Sequence, residues 1–140
     1  QQLRFATQKA LKLSLSNCRF EEDNVLALSH RDERFDVVIS ARLFTILPNP
    51  KRAIAEMYRV LKSGGSCLVA EPRYAFWASI PLFTMWVAAR LTGARHAFCE
   101  PRTAHVLDLV SFEKVFFSQP WRRVKVWRDG RYQYALCEKS

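Results

Sequence analysis

Glycine is scarce in this sequence. Its 140 residues include four glycines, at positions 64, 65, 93 and 130. None of them belongs to a cluster of the GxGxxG type, in which a glycine-rich turn lets the backbone approach a phosphate closely. These residues therefore contain no glycine-rich cofactor loop, and a nucleotide-binding function has to be argued from other features.

Cysteine and histidine form no pattern that would hold a metal. The four cysteines, at positions 18, 67, 99 and 137, form no CxxC pair or Cys/His cluster, so we predict no zinc site. Cys67 and Cys137 lie in apolar, strand-like runs, where a thiol acts as a small hydrophobe. Because no secretory signal opens the chain, we expect a reducing, cytoplasmic environment.

Long apolar runs are also missing. The longest uncharged stretch, residues 74–89, contains Pro81 and is shorter than the ~20 residues that a bilayer span needs. A helix that is apolar all round is either buried or in contact with an apolar ligand. Trp77 and Trp86 together with flanking arginines resemble the anchors of a segment that lies on a membrane surface. We therefore interpret residues 73–100 as an insertion that acts as a lid.

Positive charge is in excess. The chain has 22 Lys and Arg against 13 Asp and Glu, a net charge of +9. Such an excess favours nucleic acid, an anionic membrane surface or a phosphorylated substrate without choosing among them. No known nucleic-acid-binding module is present, so we do not expect nucleic acid as a partner, whereas peripheral contact with an anionic membrane stays open.

The periodicity of apolar residues predicts one α/β domain. Residues 2–16 have helical spacing and residues 18–20 suit a short strand. The continuous apolar centre of residues 35–40 is typical of a strand buried on both faces. A helix then begins at Asn49-Pro50, followed by Gly64-Gly65 and a second apolar strand. A further short helix and an Asp-Gly hairpin of two alternating strands follow.

This order of elements resembles the second half of a class I S-adenosylmethionine-dependent methyltransferase of the small-molecule type. The resemblance is carried by residues 35–40, by the helix with Arg59-Val60-Leu61-Lys62, by Ser63-Gly64-Gly65 and by the strand that ends at Glu71-Pro72. It implies a Rossmann-like mixed sheet with helices on both faces and a C-terminal antiparallel hairpin. Because the family's glycine-rich loop lies on its first strand, residues 1–140 are interpreted as a partial domain that lacks the first two strands.

The resemblance also implies a cofactor, S-adenosylmethionine, and candidate residues for it. Asn24-Val25 corresponds to the position that meets the adenine, although an Asn there also suits a turn that it caps itself. Ser40, Ala41 and Arg42 follow the buried strand at the edge where open α/β sheets bind ligands. The candidate acceptor residues form a second group, Phe44, Tyr74 and Trp77.

Methyl transfer requires alignment of donor and acceptor more than covalent help from the protein. No Ser/His/Asp array is present, and no catalytic residue is assigned. We predict methyl transfer to a small, hydrophobic acceptor such as a lipid or a quinone. The alternatives are a non-catalytic remnant that serves as a binding or membrane-surface module, and a nicotinamide-dependent dehydrogenase. Because an unpaired apolar strand edge invites pairing with another chain, we also expect the chain to self-associate.

Overall fold

The computed structural model describes residues 2–74, 80, 83–88, 91 and 105–140. Three helices and four strands are assigned in this part of the chain, and residues 83–88 are also helical. In chain order the elements are α1 (Gln2–Lys12), β1 (Phe35–Ala41), α2 (Pro50–Val60), β2 (Leu61–Pro72), α3 (Leu109–Phe116), β3 (Trp121–Asp129) and β4 (Tyr132–Lys139).

The strands form one mixed sheet in the order β1-β2-β4-β3. β1 and β2 are parallel, while β4 is antiparallel to both of its neighbours, β2 and β3. The parallel pair and the helix between them form the βαβ unit that the sequence predicts. The mixed, Rossmann-like sheet with its C-terminal hairpin is thereby confirmed.

Helix α2 has the start that its sequence predicts. The Asn49 side chain accepts a hydrogen bond from the Arg52 N–H at 3.2 Å, and Pro50 occupies the first helical position. This cap satisfies one of the backbone donors that every helix start leaves free. Ile54 and Met57 on its inner side are buried, so the helix is fixed against the sheet by its apolar side.

The turn between α2 and the regular part of β2 requires both glycines. Gly64 has φ +76°, in the left-handed region that favours glycine. Gly65 has no room for a side chain, because a Cβ there would lie 2.8 Å from the Asp36 carbonyl oxygen and 2.9 Å from Leu61 Cγ. The tight contact lets β2 pair again with β1 directly after the turn.

The two faces of the sheet differ in what lies on them. Cross-strand register assigns one set of side chains to what we call the covered face, on which α2 and α3 pack: Val38, Ser40, Cys67, Val69, Glu71, Val124, Val126, Gln133, Ala135 and Cys137. The opposite set forms what we call the open face: Val37, Ile39, Leu68, Ala70, Lys125, Trp127, Tyr134 and Leu136.

The hydrophobic core lies on the covered face. Phe44, Phe112 and Phe116 form an aromatic cluster with ring centroids 5.1–6.5 Å apart. Cys67 and Cys137 face each other across β2 and β4 beneath it, and burial raises the pKa of both thiols to about 12. They are therefore packing residues in the thiol form.

Two predictions for the N-terminal region are wrong. Residues 18–20 form no strand, since a short strand forms only beside a partner and β1, the edge of the sheet, pairs with β2 alone in the described part of the chain. Helix α1 ends at Lys12, earlier than predicted, because Ser14 adopts φ 54° and breaks the helical path.

The expectation that residues 35–40 form a strand buried on both faces needs correction. The described helices that pack on the sheet, α2 and α3, share the covered face. On the open face, Val37 and Ile39 are 58% and 69% exposed. The predicted lid at residues 73–100 lies mostly outside the described residues, and no described helix is long and apolar enough to cross a bilayer.

Candidate functional site at the carboxyl edge of the parallel strands

Ser40, Ala41 and Arg42 lie together where β1 leaves the sheet. Ser40 is 5% exposed, and its Oγ has no hydrogen-bond partner in the described structure. Ala41 and Arg42 are exposed; Arg42 adopts φ 56°, and its N–H donates to the Ala70 carbonyl at 2.9 Å. The strand exit therefore presents a small side chain and a sharply turned backbone at an edge where α/β sheets bind ligands.

Glu71 at the end of β2 fixes the loop that follows. Its Oε1 accepts hydrogen bonds from the Leu43 and Phe44 N–H groups at 2.7 and 2.9 Å. The side chain is 2% exposed, and burial raises its pKa against the opposing effect of these backbone donors and of Arg42. A carboxyl group from one strand thus determines the path of the chain that leaves its neighbour.

Asn24 and Val25 lie in a segment held against α2. The Asn24 Oδ1 accepts from the Leu26 N–H at 3.0 Å, so the side chain caps its own turn. Arg52, in the first turn of α2, donates from Nε to the Leu26 carbonyl at 2.8 Å. This contact keeps Asn24 beside the start of α2, and an amide oxygen has a second lone pair for another donor. The cofactor role of Asn24 and Val25 stays a prediction.

The three acceptor-binding candidates have different surroundings. Phe44 is 2% exposed and packs on Phe112 and Phe116, a placement that favours a packing role. Tyr74 is 48% exposed with the Arg73 guanidinium 4.9 Å from its ring centroid, so it is free to meet a ligand. Trp77 lies outside the described residues.

Glu56 and Arg59 pair on α2, as their spacing predicts. Arg59 Nη2 lies 2.8 Å from Glu56 Oε2, and its Nη1 lies 2.7 Å from Asp32 Oδ1. The Arg59 hydrogen bond is the main cause that lowers the Glu56 pKa. Arg59 also donates to the Leu28 and His30 carbonyls, so this pair anchors the loop before β1 and serves structure.

Sequence reasoning missed Glu71 and Gln133 as a pair. Both are buried, they face each other across β2 and β4, and Gln133 Nε2 donates to the Leu107 carbonyl at 2.9 Å. A glutamate and a glutamine within otherwise apolar strands are a signal for a buried polar site. The antiparallel register that brings them together follows only from the position of β4 within the sheet.

Comparison with known proteins decides the family. A family model described as "Methyltransferase domain" matches residues 1–114. The chain belongs to this methyltransferase domain family. The resemblance to the class I S-adenosylmethionine-dependent methyltransferases, noted from residues 35–72, is thereby confirmed.

Curated relatives are similar over half of this methyltransferase domain. A 2-methyl-6-phytyl-1,4-hydroquinone methyltransferase from Oryza sativa is 36% identical over 77 residues, which is 54% of this chain and 23% of the relative. A demethylmenaquinone methyltransferase from Deinococcus radiodurans is 41% identical over 71 residues, 51% of this chain and 29% of the relative. The matched part is thus under a third of each relative's length.

Solved structures show the same fold. A protein from Pyrococcus horikoshii superposes with a TM-score of 0.68 at 18% identity, over 99% of this chain and 66% of the other. A SAM-dependent methyltransferase from Thermotoga maritima gives a TM-score of 0.63 at 16% identity, over 95% and 70%. At these identities the likeness concerns the fold alone.

The residues present fit part of a nucleoside site. Ala41 is exposed at the end of β1 and the Asn24 amide lies in the segment held at the start of α2, whereas the Ser40 Oγ, unpartnered among the described residues, is buried. The second lone pair of the Asn24 amide oxygen could accept a hydrogen bond from the amino group of a nucleoside. Because these 140 residues contain no GxGxxG cluster, the fit concerns the adenine side of the family's cofactor.

Proposed function

We propose that this chain forms the adenine-binding and acceptor-facing part of an enzyme that methylates a small hydrophobic acceptor of the hydroquinone type. The observation that carries the proposal is the similarity over about half of the chain to two methyltransferases whose names specify a phytyl hydroquinone and a demethylmenaquinone. When bound, S-adenosylmethionine supplies an electrophilic methyl group. The protein residues would position the donor and the acceptor and exclude water.

Ser40, Ala41 and Asn24 are proposed to contact the cofactor. Ala41 offers exposed backbone groups without a bulky side chain, and Ser40, which is buried, would contribute a small side chain beneath the cofactor. Tyr74 directly follows β2 at the same edge and is half exposed, so it is proposed to contact the acceptor. A ring of this kind suits a flat, partly apolar acceptor, because aromatic pairs stack in offset or edge-on arrangements.

The test of the function is methyl transfer by the protein at its natural length. Radiolabelled S-adenosylmethionine is supplied with either a prenylated hydroquinone or a water-soluble catechol as acceptor. We expect label in the hydroquinone product and little in the catechol. Methylation of the polar acceptor alone would overturn the acceptor assignment, and binding without any transfer would favour the alternative of a non-catalytic binding module.

Cofactor binding is tested separately by calorimetry. Asn24→Ala should weaken S-adenosylmethionine binding by the ~0.5–1.5 kcal/mol of one amide hydrogen bond. Asn17→Ala is the matched control, since Asn17 is an exposed loop residue before the same segment. An equal dissociation constant for the two variants would mean that Asn24 only caps its turn. For residues 1–140 alone we expect binding weaker than micromolar, because the glycine loop's contacts are lacking.

Peripheral contact with an anionic membrane stays a prediction that the net charge of +9 and the half-exposed Arg73-Tyr74 pair support. Cations beside aromatic rings suit the interface, where each group meets either phosphate or acyl chain. Co-sedimentation with vesicles of anionic and of neutral lipid would test it. Equal recovery with both kinds of vesicle would contradict an electrostatic contact.

A further inference from the structure

Two buried side-chain oxygens between β2 and β4 lack a hydrogen-bond donor in the part of the chain that the structure describes. Glu71 Oε1 is satisfied by two backbone N–H donors, and the Leu107 carbonyl is satisfied by Gln133 Nε2. Glu71 Oε2 and Gln133 Oε1 are both buried, and neither has a partner in the described structure. The Gln133 amide oxygen can only accept, and the Glu71 oxygen can donate only when the carboxyl group is protonated. A buried acceptor without a donor costs about 1–3 kcal/mol.

Register and burial place these two side chains in one small space. Glu71 and Gln133 are direct partners in the antiparallel register, and side chains of such a pair lie on the same face with Cβ atoms ~4.5–5.5 Å apart. Both line one narrow crevice, which is too small to hold a water molecule. A bridging water therefore cannot supply the missing donor. Two buried hydroxyl residues lie in this region, Thr45 in the same crevice and Ser40 on the covered face, but neither oxygen of the pair accepts a hydrogen bond from them in the described structure.

We propose that Glu71 is protonated in the folded protein and donates from Oε2 to Gln133 Oε1. In this arrangement Oε1 remains a carbonyl-type acceptor for the Leu43 and Phe44 N–H groups, so all four polar groups of the pair are satisfied. Glu71 is then a positioning residue. Its neutral carboxyl links the loop after β1 to β4 without leaving a charge in a dry interior.

The network extends to the segment before α3. The His105 N–H donates to the Thr45 carbonyl at 2.9 Å, and the Leu107 carbonyl accepts from Gln133. One end of this segment is therefore bound to the β1 loop and the other to Gln133. The pair and its neighbours join four pieces of chain: the loop after β1, the end of β2, the start of β4 and residues 105–108.

Charged neighbours act on the pair in opposite directions. Burial, the largest influence, raises the pKa of Glu71, while the backbone N–H groups of residues 43–45 and, as the smallest influence, the charge of Arg42 lower it. His105 lines the same crevice, and Arg128 is the cross-strand partner of Gln133 on β3. Arg128 has a counter-charge in Asp108, whose pKa it helps to lower. Because the folded-state pKa of Glu71 lies above its unfolded value, its contribution to stability is present below the unfolded pKa and decreases as the pH rises through the folded pKa.

Infrared difference spectroscopy of the full chain at neutral pH tests the proposal directly. We expect a C=O stretching band of a protonated carboxyl that shifts when glutamate is labelled with 13C at its carboxyl carbon. The band should be absent from Glu71→Gln and retained in Glu56→Gln, since Glu56 is ionised beside Arg59. A spectrum with carboxylate bands only, in labelled wild type, would overturn the proposal even if the variant did not fold.

Thermal unfolding gives a second readout. Glutamine at position 71 can accept from the two N–H groups and donate to Gln133 at every pH, so Glu71→Gln should melt at least as high as wild type. The difference should widen in favour of the variant between about pH 5 and about pH 8. A variant that is less stable across this range would show that an ionised Glu71 is required. Both measurements are independent of methyl transfer, so they test the Glu71–Gln133 hydrogen bond separately from the proposed function.

Discussion

The covered face and the open face of the sheet are built from the same four strands, yet they have opposite environments. Cys67, Val69, Ala135 and Cys137 on the covered face are fully buried, whereas Val37 and Ile39 on the open face are largely exposed. The apolar run at residues 37–39 supplies side chains to both. The difference shows that alternation within a strand decides which side chains share a face, and packing helices decide which face becomes core.

The largest difference in stability is expected between substitutions of two neighbouring phenylalanines at the end of α3. Phe116 is fully buried and Phe117, the next residue, is 66% exposed. Phe116→Ala should lower the free energy of unfolding by about 3–5 kcal/mol, because it removes transfer energy and leaves a cavity. Phe117→Ala is the control and should change it by less than about 0.5 kcal/mol. Chemical denaturation measures both, and similar losses would mean that the outer side of α3 is also packed.

A matched pair of valines compares the faces directly. Val69 is fully buried on the covered face, and Val37 is 58% exposed on the open face. Val69→Ala should destabilise by roughly 2 kcal/mol, from about 0.8 kcal/mol per buried methylene and the cavity. Val37→Ala should cost only a fraction of this. Equal effects in thermal unfolding would indicate that the open face is covered in solution.

Self-association tests whether the free edge of β1 is available to another chain. β1 is an edge strand whose exposed side chains include Ile39, and an apolar edge invites another chain. We expect residues 1–140 to run larger than a monomer in size-exclusion chromatography with light scattering, and Ile39→Lys to shift the population toward monomer. Ser63→Lys, at an exposed position in the first residues of β2, is the control for added charge. A monodisperse monomeric wild type would contradict the expectation.

The smallest effect is expected for Glu56, whose contribution to stability changes with pH in the opposite direction to that of Glu71. The pKa of Glu56 is lowered, chiefly by Arg59, so its stabilising contribution is present above the unfolded pKa of 4.5 and decreases as the pH falls through the folded value. Glu56→Gln should therefore cost a few tenths of a kcal/mol at neutral pH and nothing in strong acid. A cost that persists in acid would show that the side-chain amide disturbs packing instead.

Local signals explain why the central part of the fold could be predicted. Asn49-Pro50 marks the start of α2, Gly64 takes the positive φ of the turn, and Gly130 takes φ 53° in the hairpin. Each of these residues determines its conformation through its own chemistry. The family resemblance drew on the same stretch, which is why it could be recognised without the glycine-rich loop.

Features that depend on distant partners could not be predicted. Residues 18–20 have strand-like composition but no strand beside them, so the pattern alone misleads. Phe44 follows β1 at the predicted ligand edge, but its packing on Phe112 and Phe116 depends on where α3 lies in the fold, which no local pattern specifies. The Glu71–Gln133 pair depends on β4 entering the sheet next to β2, which no local pattern specifies.

The place of β4 in the sheet affects the order in which the molecule can fold during synthesis. β3 is made before β4, yet within the described structure it pairs with β4 alone, and the free side of β2 pairs with the same strand. A nascent chain that has released β1, α2 and β2 from the ribosome can form the parallel unit early. β3 then stays unpaired until β4 emerges, so the sheet is completed late. Until then this basic strand is exposed.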